Sequence, residues 1–288
     1  SDVYKRQLIS GCVGLECCEK LDLQDMRQAP VIEPMVKKAL VCHTPERIPE
    51  FIDMAYRTAM SGRPGPVYLE LPVDVLNAPI DPASPKIKEL NTLVDSRPVD
   101  MAKAREALDL IERAERPVLI AGSGAWYSDA GAALTAFAEK TGIPVFTSAL
   151  GRGTIPDTHP LCFESSLAIR PGAALFANLN ADLVALLGAR VSLYYIFGDI
   201  FQKSAKFIQV DLKPEEIGRN RTIDLPVMSD VRAFLDGCAA VVDERKKGAA
   251  LKRRFAPWVE RLREADGESK AAQAPNWESD QVPILPIR

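Results

Sequence analysis

Pro117-Val118-Leu119-Ile120-Ala121-Gly122-Ser123-Gly124 is the stretch on which the fold turns. An unbroken apolar run this short has no polar face, which suits a strand covered on both sides. The two glycines behind it mark a tight passage from strand to helix. The same alternation continues downstream. Ala102 to Ala114 and Ala130 to Thr141 read as helices, and Val231 to Glu244 as a closing helix. Pro144-Val145-Phe146-Thr147, Asp182 to Leu187 and Lys206 to Leu212 read as further strands. Apolar strands separated by helices predict an α/β domain over residues 100–244, built on a parallel, Rossmann-like sheet.

Upstream, Thr44 to Gly62 has the marks of a helix. Thr44 is placed to cap it, Pro45 suits its first position, and Ile48, Phe51, Ile52, Ala55 and Ala59 recur at helical spacing. The turn Arg63-Pro64-Gly65-Pro66 leads into the strand Val67 to Leu71, ended by Pro72. Residues 8–78 are therefore expected to hold part of a separate α/β unit. Residues 79–99, rich in proline (Pro79, Pro82, Pro85, Pro98), read as a linker. Residues 245–280 are charged and weakly patterned, and read as a helix with a second linker. Residues 281–288 read as the start of another, truncated domain. Residues 1–7 continue no pattern and resemble a translated sequencing adapter, so they are expected to be a non-native tail. Both ends read as those of a gene fragment.

Composition narrows the function. Among 288 residues, 36 Lys and Arg face 39 Asp and Glu, a net charge of −3 with no basic field for nucleic acid or anionic lipid. No apolar run approaches the ~20 residues of a membrane span, and no secretory signal opens the chain, so a cytoplasmic location is expected. The six cysteines form no CxxC pair, and the two histidines are His43 and His159. Neither a structural zinc site nor a disulfide framework is expected, and the thiols read as inert.

Strand-end logic selects the candidate ligand residues. Gly122 and Gly124 open a helix after a strand, where backbone amides are able to approach a phosphate. Gly188 and Arg190 follow a second strand, and the arginine is suited to a diphosphate. Asp211 ends the fourth strand, suited either to a ribose or to capping the turn from Pro214. His159 lies in a turn-rich loop with no second histidine or nucleophile, and no Ser-His-Asp set is supported. Asp25 and Glu33 read as solvated charges rather than an acid/base pair.

Together these segments resemble the thiamine-diphosphate enzyme superfamily. Ser61 to Val75 (SGRPGPVYLELPVDV) resembles the close of its pyrimidine-binding domain, and Leu23-Gln24-Asp25 its Phe-Gln-Glu. Pro34 to Lys37 resembles its Arg-Pro-(Ile/Val)-Thr-Lys, and Phe207 to Asn220 with Ser229-Asp230-Val231 its central domain of acetolactate-synthase type. The resemblance implies a homodimer or homotetramer using thiamine diphosphate and Mg²⁺ to decarboxylate a 2-oxo acid and join the product to an acceptor. It implies roles for Gln24 and Lys37 near the catalytic centre, for Asp230 at the central-domain ligand, and FAD or an ADP- or CoA-containing ligand in that domain. The family's catalytic glutamate and its Gly-Asp-Gly…Asn metal segment have no counterpart here, so the chain alone is expected to be inactive. Val191 to Gly198 is closer to the 2-hydroxyacyl-CoA lyase and oxalyl-CoA decarboxylase branch, the alternative reading. A non-catalytic nucleotide-binding module is a third; a dinucleotide dehydrogenase lacks its GxGxxG, and a sirtuin-like deacylase its cysteine set.

Overall fold

The computed structural model describes residues 7–23, 25–81, 83, 96–167 and 170–278. The chain divides into two compact units, one reaching Asp95 and the other starting at Ser96. That division falls inside the proline-rich stretch. Among the described residues no helix is long and apolar enough to cross a membrane.

The first unit contains β1 (Gln7–Cys12), α1 (Gln28–Ile32), β2 (Ala39–Val41), α2 (Ile48–Met60), β3 (Val67–Pro72) and α3 (Val73–Asn77). Its strands are parallel, in the order β1-β3-β2. Alternation along β3 sends Val67, Leu69 and Leu71 against Ala55 and Ala59 of α2. Tyr68 and Glu70 take the opposite face, where the Tyr68 hydroxyl donates to Glu70 at 2.7 Å. Two expectations change. Gln7 is already in β1, paired with Val67, so the expected tail over 1–7 overruns the sheet by one residue. The Thr44 side chain makes no capping bond, because Pro45–Arg47 form a 3-10 turn in which the Arg47 N–H donates to the Thr44 carbonyl.

The second unit contains α4 (Met101–Arg113), β4 (Pro117–Ala121), α5 (Ser123–Tyr127), α6 (Gly131–Thr141), β5 (Val145–Thr147), β6 (Cys162–Ser165), α7 (Ala173–Asn180), β7 (Leu183–Leu187), β8 (Lys206–Asp211), β9 (Leu225–Met228), α8 (Val231–Glu244) and α9 (Gly248–Glu278). All six strands are parallel, in the order β6-β5-β4-β7-β8-β9. The chain winds outward from β4 to β6, then returns to β7 on the other side of β4, the doubly wound order of Rossmann folds. Successive side chains serve opposite layers. Leu119, Ala121, Leu183, Ala185, Ile208 and Val210 pack with α4, α6 and α8. Val118, Ile120, Val184, Leu186 and Phe207 pack with Ala173 and Ala177 of α7. The apolar runs seen in the sequence are the strands of this doubly covered sheet.

Several elements, α5 and α7 among them, differ from the sequence reading. β6 and β9 are four-residue edge strands whose alternation is too brief to register, and β9 carries an exposed Pro226, which only an edge tolerates. Residues 245–280 do not simply link. From Gly248 onward they form α9, whose Leu251, Phe255, Trp258 and Leu262 are buried in the core. The Trp258 Nε1–H donates to the Pro117 carbonyl, and Arg254 to that of Glu112, so α9 crosses the amino ends of the strands. Its apolar stripe is narrow and diluted by charge, which hid it from the pattern.

Candidate functional site

The carboxyl edge of the six-stranded sheet gathers the predicted ligand residues of the second unit. The switch in winding direction lies between β4 and β7, where doubly wound sheets open a crevice. Gly122, Gly124 and Gly188 meet there. The Gly122 N–H donates to the Leu187 carbonyl at 2.9 Å and the Gly124 N–H to the Gly188 carbonyl at 3.1 Å. A Cβ on Gly122 would lie 2.2 Å from the Gly188 oxygen. These glycines let two backbone segments touch, and their amides face carbonyls rather than an open phosphate site. The helix that follows, α5, is only five residues long.

Arg190 is half-buried in the loop after β7. Asp211, the last residue of β8, accepts the Lys213 N–H at 2.9 Å, which forms the turn before Pro214. Asp230 follows β9 and caps α8, accepting the N–H groups of Arg232 at 2.9 Å and Ala233 at 3.4 Å. Burial raises the Asp230 carboxyl above its ordinary range, against the pull of those two donors. Asp211 and Asp230 thus both hold backbone turns at the strand ends.

A group that strand-end reasoning overlooked surrounds a cavity of about 260 Å³ on the same edge. Thr147 ends β5 and Ser148 follows it, Arg152 follows the short helical turn Ala149–Gly151, Ser165 ends β6, and Leu167 and Arg170 follow it. Arg152 pairs with Asp157 at 2.8 Å. Two guanidinium groups with three hydroxyls are the donor set of an anion or diphosphate site. The signal was present in Thr147-Ser148 at the end of a predicted strand; Arg170 was hidden because β6 went unrecognised. Gly151 makes this loop possible, since a Cβ there would lie 2.1 Å from the Ala121 carbonyl oxygen.

The cavity wall is tied to the loop after β7. Buried Ser166 and Tyr195 share a 2.6 Å hydrogen bond, and Asn178 donates to the Ser166 carbonyl. Burial pushes the Tyr195 phenol up to about 12, so the hydroxyl stays protonated. Ile196 and Phe197 beside it hold φ of 49° and 53° and expose their side chains.

In the first unit, Lys37 meets the turn that follows α2. Its Nζ donates to the carbonyls of Ser61 at 2.6 Å and Arg63 at 3.1 Å, clamping the turn after α2, and burial lowers its pKa. Gln24 lies outside the described residues. No group of three His, Cys, Asp or Glu able to hold a metal occurs among the described residues. Cys42 and Cys238 are buried and Cys18 is exposed. Burial, with Glu70 beside it, drives the Cys12 thiol to about 12, far from a reactive thiolate.

Residues 104–238 match the family model "Thiamine pyrophosphate enzyme, central domain". The chain is 33% identical to the acetolactate synthase large subunit of Corynebacterium glutamicum over 89% of its own length and 40% of that protein's. It is 35% identical to oxalyl-CoA decarboxylase of Escherichia coli over 76% of its own length and 38% of that protein's. The crystal structure of benzoylformate decarboxylase from Polynucleobacter necessarius superposes with a TM-score of 0.67 at 27% identity, over 82% of this chain and 44% of that one. The chain thus spans less than half the length of these relatives. The doubly wound sheet, its strand-end loops and these matches place the chain in the thiamine-pyrophosphate enzyme family, with the central domain at residues 104–238.

Proposed function

We infer that the chain is part of a thiamine-diphosphate-dependent enzyme that decarboxylates 2-oxo acids and joins the product to an acceptor, as in acetolactate synthesis. The observation that carries this reading is the alignment of acetolactate synthase large subunits along 89% and 92% of the chain, through both units. When bound, thiamine diphosphate supplies the electron sink for decarboxylation. The chain's own contribution is a rigid central domain whose carboxyl edge holds an ADP-bearing ligand. Arg152 and Arg170 neutralise its diphosphate, with Thr147, Ser148 and Ser165 as hydrogen-bond partners. A cavity of about 260 Å³ accommodates that diphosphate and leaves the rest of the ligand outside. The intact protein is a cytoplasmic homodimer or homotetramer that uses Mg²⁺, and the chain alone is inactive.

The alternative is a CoA-thioester lyase or decarboxylase of the same family. It is favoured by the segment Leu193–Gly198 and by a 2-hydroxyacyl-CoA lyase of Oryza sativa that is 28% identical over 98% of the chain. Thermal unfolding of the 288-residue chain with FAD, ADP or coenzyme A distinguishes the two. A ligand present at ~100 times its dissociation constant adds about 2.7 kcal/mol. Stabilisation by FAD supports the synthase reading; stabilisation by ADP and coenzyme A but not FAD supports the lyase. In either case Arg152→Gln with Arg170→Gln is expected to abolish the shift. No shift with any of the three removes the ligand-holding role of this edge.

A further inference from the structure

On the opposite, amino-terminal edge of the same sheet, α9 does not lie flush against the domain. Between it, the end of α6 and the loop before β6 is a cleft of about 440 Å³. Its floor is apolar, with Leu161, Ala256 and Val259, and its rim carries Glu139, His159, Lys252, Glu260 and Arg263. The volume falls within the ~300–1,000 Å³ of small-molecule pockets.

The rim charges are not equivalent. Arg263 pairs with Glu260 at 3.0 Å and donates to the Pro160 carbonyl. The His159 Nδ1 accepts the Leu161 N–H at 3.2 Å, which leaves Nε2 to carry the proton toward Glu139, 3.3 Å away. Both carboxylates thus have partners within the rim. Lys252 makes no ion pair among the described residues. Its Cα and Cγ lie close to Gly142. Gly142, the left-handed cap of α6 at φ 76°, leaves open the space where a Cβ would meet Lys252 Cα at 2.9 Å and Cγ at 3.3 Å. Lys252 is an exposed residue that lines the same cleft as Leu161, Ala256 and Val259.

We propose that this cleft is a binding site for a small organic acid with an apolar body, its carboxylate paired with Lys252 and its body resting on Leu161, Ala256 and Val259. The site is separate from the carboxyl-edge cavity and shares no lining residue with it. An alcohol of the same shape keeps the apolar contact and loses the ion pair.

The test is a titration of the 288-residue chain with 3-phenylpropionate and with 3-phenylpropanol, followed by amide chemical shifts. The acid is expected to move the amides of Leu161, Lys252 and Val259 and to bind at least tenfold more tightly than the alcohol, about 1.4 kcal/mol. Lys252→Met is expected to erase that preference. Ala256→Trp, at an exposed helical position, is expected to fill the cleft and abolish binding of both. Each variant's thermal midpoint reports whether it folds. Equal binding of acid and alcohol, a preference that survives Lys252→Met in a folded protein, or shifts confined to residues outside the cleft overturns the proposal.

Discussion

Replacing Phe255 by alanine removes a ring that is 0% exposed and sits in the main core with Phe137, Leu134 and Val242. Truncating a buried phenylalanine costs about 3–5 kcal/mol, the transfer of the ring plus the cavity it leaves. Set against the ~5–15 kcal/mol of a typical domain, that is a large fraction of the total. For a unit of this size it corresponds to a fall in midpoint of about 6–20 °C, at roughly 2–4 °C per kcal/mol. Urea unfolding followed by tryptophan fluorescence isolates the effect, because Trp126, Trp258 and Trp277 all lie in the second unit. Arg253→Ala, on the exposed side of the same turn, is the control and is expected to stay within about 0.5 kcal/mol of the parent. If α9 were merely a connection, Phe255→Ala would behave like the control; a change below about 0.5 kcal/mol would falsify its place in the core. The same argument says that a chain cut after Glu244 loses Trp258, which stacks on Phe176 at 5.8 Å, and should no longer unfold cooperatively.

Two further outcomes follow from local geometry. Gly122→Ala forces a methyl to within 2.2 Å of the Gly188 carbonyl oxygen and is expected to destabilise by about 1–3 kcal/mol or more. Gly267→Ala, in α9 with nothing within 4 Å, is expected to stabilise by about 0.5–1 kcal/mol; paired urea titrations check both signs. Burial opposes ionisation of Asp224, but Lys206 at 2.8 Å and the Phe207 N–H at 2.9 Å outweigh it and hold its pKa below the ordinary 3.8. Its stabilising contribution is therefore complete above pH 3.8 and lost as pH falls through the lower folded-state value. Asp224→Asn should lower stability near neutrality and flatten the acid limb of stability against pH, and an unchanged acid limb would count against the Lys206 contact.

The sequence by itself determined the parallel α/β class, the four central strands and the family. Those features are written in runs such as Val118 to Ala121 and in the Ser61 to Val75 segment, where local pattern and identity suffice. It placed the candidate residues of the second unit at one edge of the sheet, because residues behind parallel strands gather there. What each described candidate touches was decided by tertiary structure. Gly122 and Gly188 are 66 positions apart, and only their meeting across the winding switch shows that they serve backbone contact. Lys37 is a motif residue in the sequence and a turn clamp in space, because its partners Ser61 and Arg63 arrive from beyond α2. Arg152 and Arg170 come together only once the edge strand β6 forms, and four residues of alternation are too few to announce it. The role of α9 was equally invisible, since a single stripe of Leu251, Phe255, Trp258 and Leu262 gains meaning only from the two layers that close over it. Local pattern fixes which segments pair; long-range packing fixes which side chains are left to face a ligand.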